Sequence, residues 1–188
     1  SVPMAVCPVS THPCIPMRIV LIVVLALVGL VALVSLAGLL MPRNHVATSE
    51  ITLRQPVDSV YAAVRDIGGM PNWWGDLKVS ERVVGIPGER WRQESGGFKM
   101  QLDVTDDAPP QRFTTSIVEE KGASFGGIWR YALSATAQGT RLAVTEEGWV
   151  GPPPFRVMAT VMGLHRTMDG MLVALAKRFG EDVKPQHT

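Results

Sequence analysis

From Ile19 to Met41 the chain carries 23 consecutive residues with no charge and a single hydroxyl, Ser35. As a helix rising 1.5 Å per residue, this run reaches about 34 Å, slightly more than the roughly 30 Å hydrocarbon core of a bilayer. Its backbone polar groups are then bonded inside the helix, and Arg18 and Arg43 bracket its ends. A buried core helix has no need of an apolar surface all the way round. A cleaved signal peptide has a shorter apolar core, about 7–15 residues. Here the run continues past the small-residue site Ser35-Leu36-Ala37 through Leu39, Leu40 and Met41. Residues 18–42 therefore read as a transmembrane anchor, with signal peptide as the competing reading. Ahead of it, residues 1–17 form an extension with four prolines and no charged side chain before Met17, which has the look of a natural start.

Beyond Pro42 lie 146 residues, enough for one domain with one core, residues 43–188. All 17 acidic residues and every basic residue except Arg18 fall there, so the domain is close to neutral. That balance excludes nucleic acid as a partner, which needs a concentrated basic face. Cys7 and Cys14 both precede the apolar run, so the domain has no disulfide, and their spacing fits no metal site. Gly-x-Ser-x-Gly, phosphate-loop, dinucleotide and His-Glu-x-x-His motifs are all missing. The basic-residue difference across the span is small, Arg18 against Arg43 and Arg54, and the reading adopted is a single-pass protein of a bacterial plasma membrane with its domain outside the cytoplasm.

Within the domain, His45 to Arg54 alternates in part and predicts a first strand, stopped by Gln55-Pro56. Asp58 or Ser59 is placed to cap a short helix to Asp66, with Val60 and Val64 on one face. Gly68-Gly69 ends it, and Met70-Pro71-Asn72-Trp73-Trp74 predicts a second short helical turn opened by proline. From Leu77 the period becomes two. Strands are expected at 77–84, 89–94, 98–105, 112–119, 128–136 and 140–150, separated by Gly- and Pro-rich turns, giving seven antiparallel strands with the first. After Gly151 and three prolines, one long helix is expected from Phe155 to Phe179. Its apolar stripe would comprise Val157, Val161, Leu164, Met168, Met171, Leu172, Leu175 and Phe179. The sum is an α+β domain, a curved antiparallel sheet closed by a long C-terminal helix.

Particular residues then carry a resemblance. Arg54-Gln55-Pro56-Val57-Asp58-Ser59-Val60-Tyr61, followed by Asp66 and Pro71-Asn72-Trp73-Trp74, is similar to the opening of the START-like (SRPBCC) superfamily with the helix-grip fold. Phe125 to Tyr131 and Gly139 to Gly148 resemble its last hairpin, and Phe155-Arg156 the start of its closing helix. The superfamily includes polyketide cyclases, lipid-transfer domains and plant allergen-type ligand binders, and some bacterial members carry the domain behind one N-terminal span. The resemblance covers residues 45–182 and implies a cavity between sheet and helix. Because the fold hosts carriers, enzymes and regulators alike, it does not by itself settle function.

The residues expected at such a cavity are Trp73, Trp74, Trp91, Phe98, Met100, Phe113, Trp129, Tyr131, Leu164 and Met168, although large residues on one face are more often packed core. Glu146 shares its strand parity with Leu142 and Val144 and so leans inward; His165 borders the helical stripe. Together they form a candidate acid–base pair, against the plainer alternatives of a Glu146–arginine pair and a half-exposed packing role for His165. His165 and Asp169 have a metal-ligand spacing but lack further ligands, and Gly163 and Gly170 suggest close packing or room on the helix flank. The leading reading is binding or transfer of a hydrophobic, lipid-like or polycyclic small molecule, with no cofactor and no named protein partner. A cyclase or dehydratase in the same cavity is the second reading, and an interaction module without ligand the third.

Overall fold

The computed structural model describes residues 17–188; the expectations for Cys7, Cys14 and the rest of 1–16 lie outside them. Helix α1 (Met17–Leu40) is long and apolar enough to cross a membrane, and none of its most hydrophobic stretch is buried in the protein. It is therefore no core helix of the domain. Only three residues, Met41-Pro42-Arg43, separate it from strand β1 (Asn44–Leu53). The last of these is pinned to the sheet, since its carbonyl accepts the Val150 N–H at 2.9 Å and its guanidinium lies over the Trp149 ring at 4.5 Å.

The period-two segments become β2 (Leu77–Val83), β3 (Arg90–Ser95), β4 (Phe98–Ala108), β5 (Arg112–Ile117), β6 (Phe125–Thr136) and β7 (Gly139–Val150). They form one antiparallel sheet in the order β2-β3-β4-β5-β6-β7-β1-β8. The added eighth strand, β8 (Gln186–His187), pairs Ser49 with His187 and corrects the expected count of seven. Two residues hold no alternation to detect, so β8 left no signal in the pattern.

Helix α2 (Val57–Arg65) starts directly behind Pro56 and has no side-chain cap, unlike the cap expected from Asp58 or Ser59. It buries Val60, Tyr61, Ala63 and Val64. The turn Met70–Asn72 is a short 3-10 helix with Pro71 in its first turn, as the sequence predicts. The closing helix is where expectation and structure part. Instead of one helix from Phe155 to Phe179 there are two, α3 (Pro153–Met162) and α4 (Arg166–Arg178). Gly163 breaks the run with φ +87°, a conformation that glycine alone adopts freely. Only α4 grips the sheet, burying Met168, Met171, Leu172, Leu175 and Ala176 on the i, i+3, i+4, i+7 face. No residue of helix α3 is fully buried; Val161, expected on the buried stripe, is 79 % exposed.

The core joins these layers. Ala47, Ile51 and Leu53 of β1, Phe113 of β5, Tyr131 and Leu133 of β6, and Leu142 and Val144 of β7 face α2, the 3-10 turn and α4. Glu181, 7 % exposed, ties the chain after α4 back to the end of β1 by accepting the Arg54 N–H at 3.0 Å.

Candidate functional site

Strand parity sets one face of β3 to β6 toward the helices, and that face does not fill completely. A cavity of about 90 Å³ remains, lined by Gln93 and Ser95 of β3, Met100 and Leu102 of β4, Phe113, Thr115 and Ile117 of β5, and Gly127, Trp129 and Tyr131 of β6. Ile67, Met70 and Trp74 close it from the turn after α2, and exposed Thr167 is the residue α4 contributes. Its floor is aromatic. Phe113 and Tyr131 stack at 4.1 Å with planes 8° apart, Trp129 lies 6.2 Å from Tyr131, and Trp74 lies 6.4 Å from Trp129. Gln93 and Thr115 are polar groups on this apolar wall, both 6 % exposed. Gln93 Nε2 donates to Ser80 Oγ at 3.2 Å. The buried indole N–H of Trp74 has no partner among the described residues.

Of the residues expected at a cavity, Trp74, Met100, Phe113, Trp129 and Tyr131 line this one. Met168 is fully buried core on α4, and Leu164 packs half-buried against the core. Trp91 backs the wall, with its ring against Gly68 and its indole N–H donated to Glu89 at 2.8 Å. Trp73 walls a separate open groove with Trp74, Asp76, Gly170, Ala174 and Lys177, and Arg178 stacks over its ring at 5.6 Å. Phe98 shares the inward parity of Met100 but sits at the sheet's uncovered end beside the Gly96-Gly97 turn. It is 54 % exposed and packs edge-on against Phe125.

The two titratable candidates do not meet. Glu146 does lean inward, opposite Trp129 in the β6–β7 register, but its partner is His45 of β1, at 3.4 Å. His165 stands at the start of α4 with Nδ1 3.1 Å from Ser49 Oγ, and its ring stacks on His187 at 3.9 Å. His187 Nε2 in turn lies 2.8 Å from Asp169 Oδ2. Among the described residues no group of three or more His, Cys, Asp or Glu side chains is arranged to hold a metal ion. Glu146 is felt by the cavity wall all the same. The Tyr131 phenol is pushed up from its ordinary value, first by burial and then by the negative charge of Glu146.

Beyond the far wall a polar clamp fixes α2 to the sheet. Arg65 donates to both oxygens of Glu89, at 2.9 and 2.6 Å, and to Asp107 at 3.0 Å; Tyr61 donates to the same Asp107. The Arg65 guanidinium holds the Glu89 carboxyl below the usual range. Burial and Asp107 push the Tyr61 phenol up to about 12. Selection by size and aromaticity missed Ile67, Met70, Gln93, Ser95, Leu102, Thr115, Ile117, Gly127 and Thr167. Alternation along β3 and β5 does mark Gln93 and Thr115, which share parity with Trp91 and Phe113.

The family described as "Polyketide cyclase / dehydrase and lipid transport" matches residues 44–180. No curated protein matches the chain. Among solved structures, a conserved protein from Geobacillus kaustophilus superposes with TM-score 0.60 at 15% identity, over 76% of this chain and 100% of that one. A START superfamily protein from Mycobacterium smegmatis gives 0.58 at 16% identity over 71% and 96%. The di-domain ARO/CYC StfQ from the steffimycin biosynthetic pathway gives 0.58 at 11% identity; 73% of this chain covers 52% of that one, about half its length. At such identities the structural likeness speaks for the fold.

Proposed function

The chain belongs to the polyketide cyclase / dehydrase and lipid transport family, and from that premise we propose that its domain holds a hydrophobic small molecule in the aromatic-floored cavity while α1 keeps it at a membrane. The carrying observation is the unfilled inner face: a stacked Phe113–Tyr131 pair extended by Trp129 and Trp74, with Met70 and Met100 at its edges. Such a wall suits a flat or chain-like apolar body, and methionine adapts to its outline.

Size refines this reading. Ligand pockets commonly measure about 300–1,000 Å³, against about 90 Å³ here. The ligand-bound domain is therefore an opened form, and the break at Gly163 is the joint best placed to open, since Thr167 of α4 borders the cavity. Extraction of the purified full-length chain with organic solvent, followed by mass spectrometry, tests the reading. An apolar compound should be recovered reproducibly, and should be lost in Ile117→Trp, which fills the cavity from a half-buried position. Recovery of nothing beyond a mock purification would remove ligand binding as the function.

The His45–Glu146 pair favours one second reading, catalysis on the bound molecule: the pair does not line the cavity, but its carboxylate acts on the wall tyrosine Tyr131, and a carboxylate with an imidazole can move a proton. Under binding alone, Glu146→Gln carries the same compound as the parent. Under a dehydratase reading the variant accumulates a compound heavier by one water.

A further inference from the structure

Helix α3 is an amphipathic helix whose apolar side covers nothing among the described residues. Phe155, Met158, Val161 and Met162 are 47, 46, 79 and 50 % exposed. At 100° per residue the four fall within one stripe roughly 120° wide. A soluble protein rarely leaves four large apolar side chains together on one helix face, and such a patch marks an interaction site.

The occupant of that face follows from what α3 touches on its other side. Helix α1 packs on α3 through its last two turns, where Gly38 is buried and Val34 and Ser35 are half-buried, as is Met41 just past its end. The contact is close enough that a Cβ on Gly38 would overlap the Pro153 carbonyl. Arg156 then knots the two together. Its guanidinium donates to the Gly151 carbonyl at 2.7 Å and the Val150 carbonyl at 3.0 Å, and reaches the Met41 and Gly38 carbonyls at 3.4 and 3.5 Å. The last carbonyls of a helix have no partner within it and carry partial negative charge, so an arginine there is doubly favourable. The level of α3 is thus fixed by the end of α1. A 24-residue helix spans about 36 Å, more than the roughly 30 Å of hydrocarbon, so its last turns lie at the lipid–water boundary. Helix α3 lies there with them.

We infer that α3 is seated in the bilayer surface, with Phe155, Met158, Val161 and Met162 among the lipid chains just below the headgroups. The stripe is the apolar half of an interfacial helix; Arg156 and Thr160 form the half turned to α1 and the domain. The inference rests on the proposed anchor and adds a second contact between domain and membrane, one that holds the Gly163 joint next to lipid.

The full chain with Cys7→Ser and Cys14→Ser, carrying one cysteine at Val161 labelled with an environment-sensitive fluorophore, is reconstituted into phosphatidylcholine vesicles. Bromine on the acyl chains should quench the Val161 label at least twofold more than the same label at Ser134, an exposed position on β6. Equal quenching at the two positions, in vesicles that retain the chain through a carbonate wash, overturns the seating of α3 and leaves the anchor standing. A chain that washes off overturns the anchor and this inference together. Loss or retention of a co-purified ligand moves neither result. As a second arm, Val161→Asp with Met162→Asp places two charges on exposed positions, so melting in detergent should match the parent. In vesicles a label at Met158 should lose its quenching; quenching that survives both charges also overturns the inference.

Discussion

Arg65 engages Glu89 through two hydrogen bonds and Asp107 through a third, and lies 6.0 Å from the Phe113 ring, so one side chain secures α2 to the residue leading into β3, to β4 and to the cavity floor. Removing it leaves two partly buried carboxylates without their cation. Arg65→Ala should destabilise the domain by about 2 kcal/mol or more, read from urea unfolding. The Glu89 carboxyl is depressed in the folded state, so its contribution is fully present above the ordinary value of 4.5 and is lost as pH falls through the lower folded value. Thermal melts of the parent should decline more steeply below about pH 4.5 than melts of Glu89→Gln. At Met168, fully buried on α4, an aspartate has no partner, and Met168→Asp should abolish cooperative unfolding. Circular dichroism checks it. The inward lean of Glu146 is readable from strand parity alone, but its partner is not. His45 meets it through a register between strands a hundred residues apart, and alternation within a strand says nothing about register between strands.

Elements were legible wherever one face meets the core and the other meets water. The six strands from Leu77 to Val150 emerge within a few residues of their expected bounds because glycine- and proline-bearing turns separate clean alternation. The closing helix shows the limit. Hydrophobic spacing continues across Gly163, so pattern alone joins α3 to α4. Yet the apolar residues before the break serve α1 and the exposed stripe, and those after it serve the sheet. Periodicity reports that a face is apolar and not what it faces. The glycine itself was the available signal. Gly163→Ala, forced to keep φ +87° or to shift the joint, should cost about 1 kcal/mol in urea unfolding, although nothing lies within 4 Å of the added Cβ.

For the whole molecule, the proposed anchor α1 is joined to the domain by a short link whose last residue is fixed to the sheet. Full-length chain should remain in the membrane pellet after carbonate washing, whereas residues 43–188 should be extractable yet still bind vesicles weakly through α3. A mature protein beginning near Gly38 would instead mark the apolar run as a removed signal. Between α1 and β1 stand three residues, the last pinned by Val150 and Trp149. A flexible tether of 20 residues would give a domain about 25 Å of play; three extended residues span about 10 Å at most. The domain consequently has a fixed stand-off and little freedom to pivot. Held at a membrane by α1 as proposed, it cannot act as a shuttle across an aqueous gap. With α1 in the bilayer as proposed, whatever it trades with must drift in the same plane, and meetings are governed by lateral diffusion and copies per unit area of membrane, not by concentration in the surrounding volume.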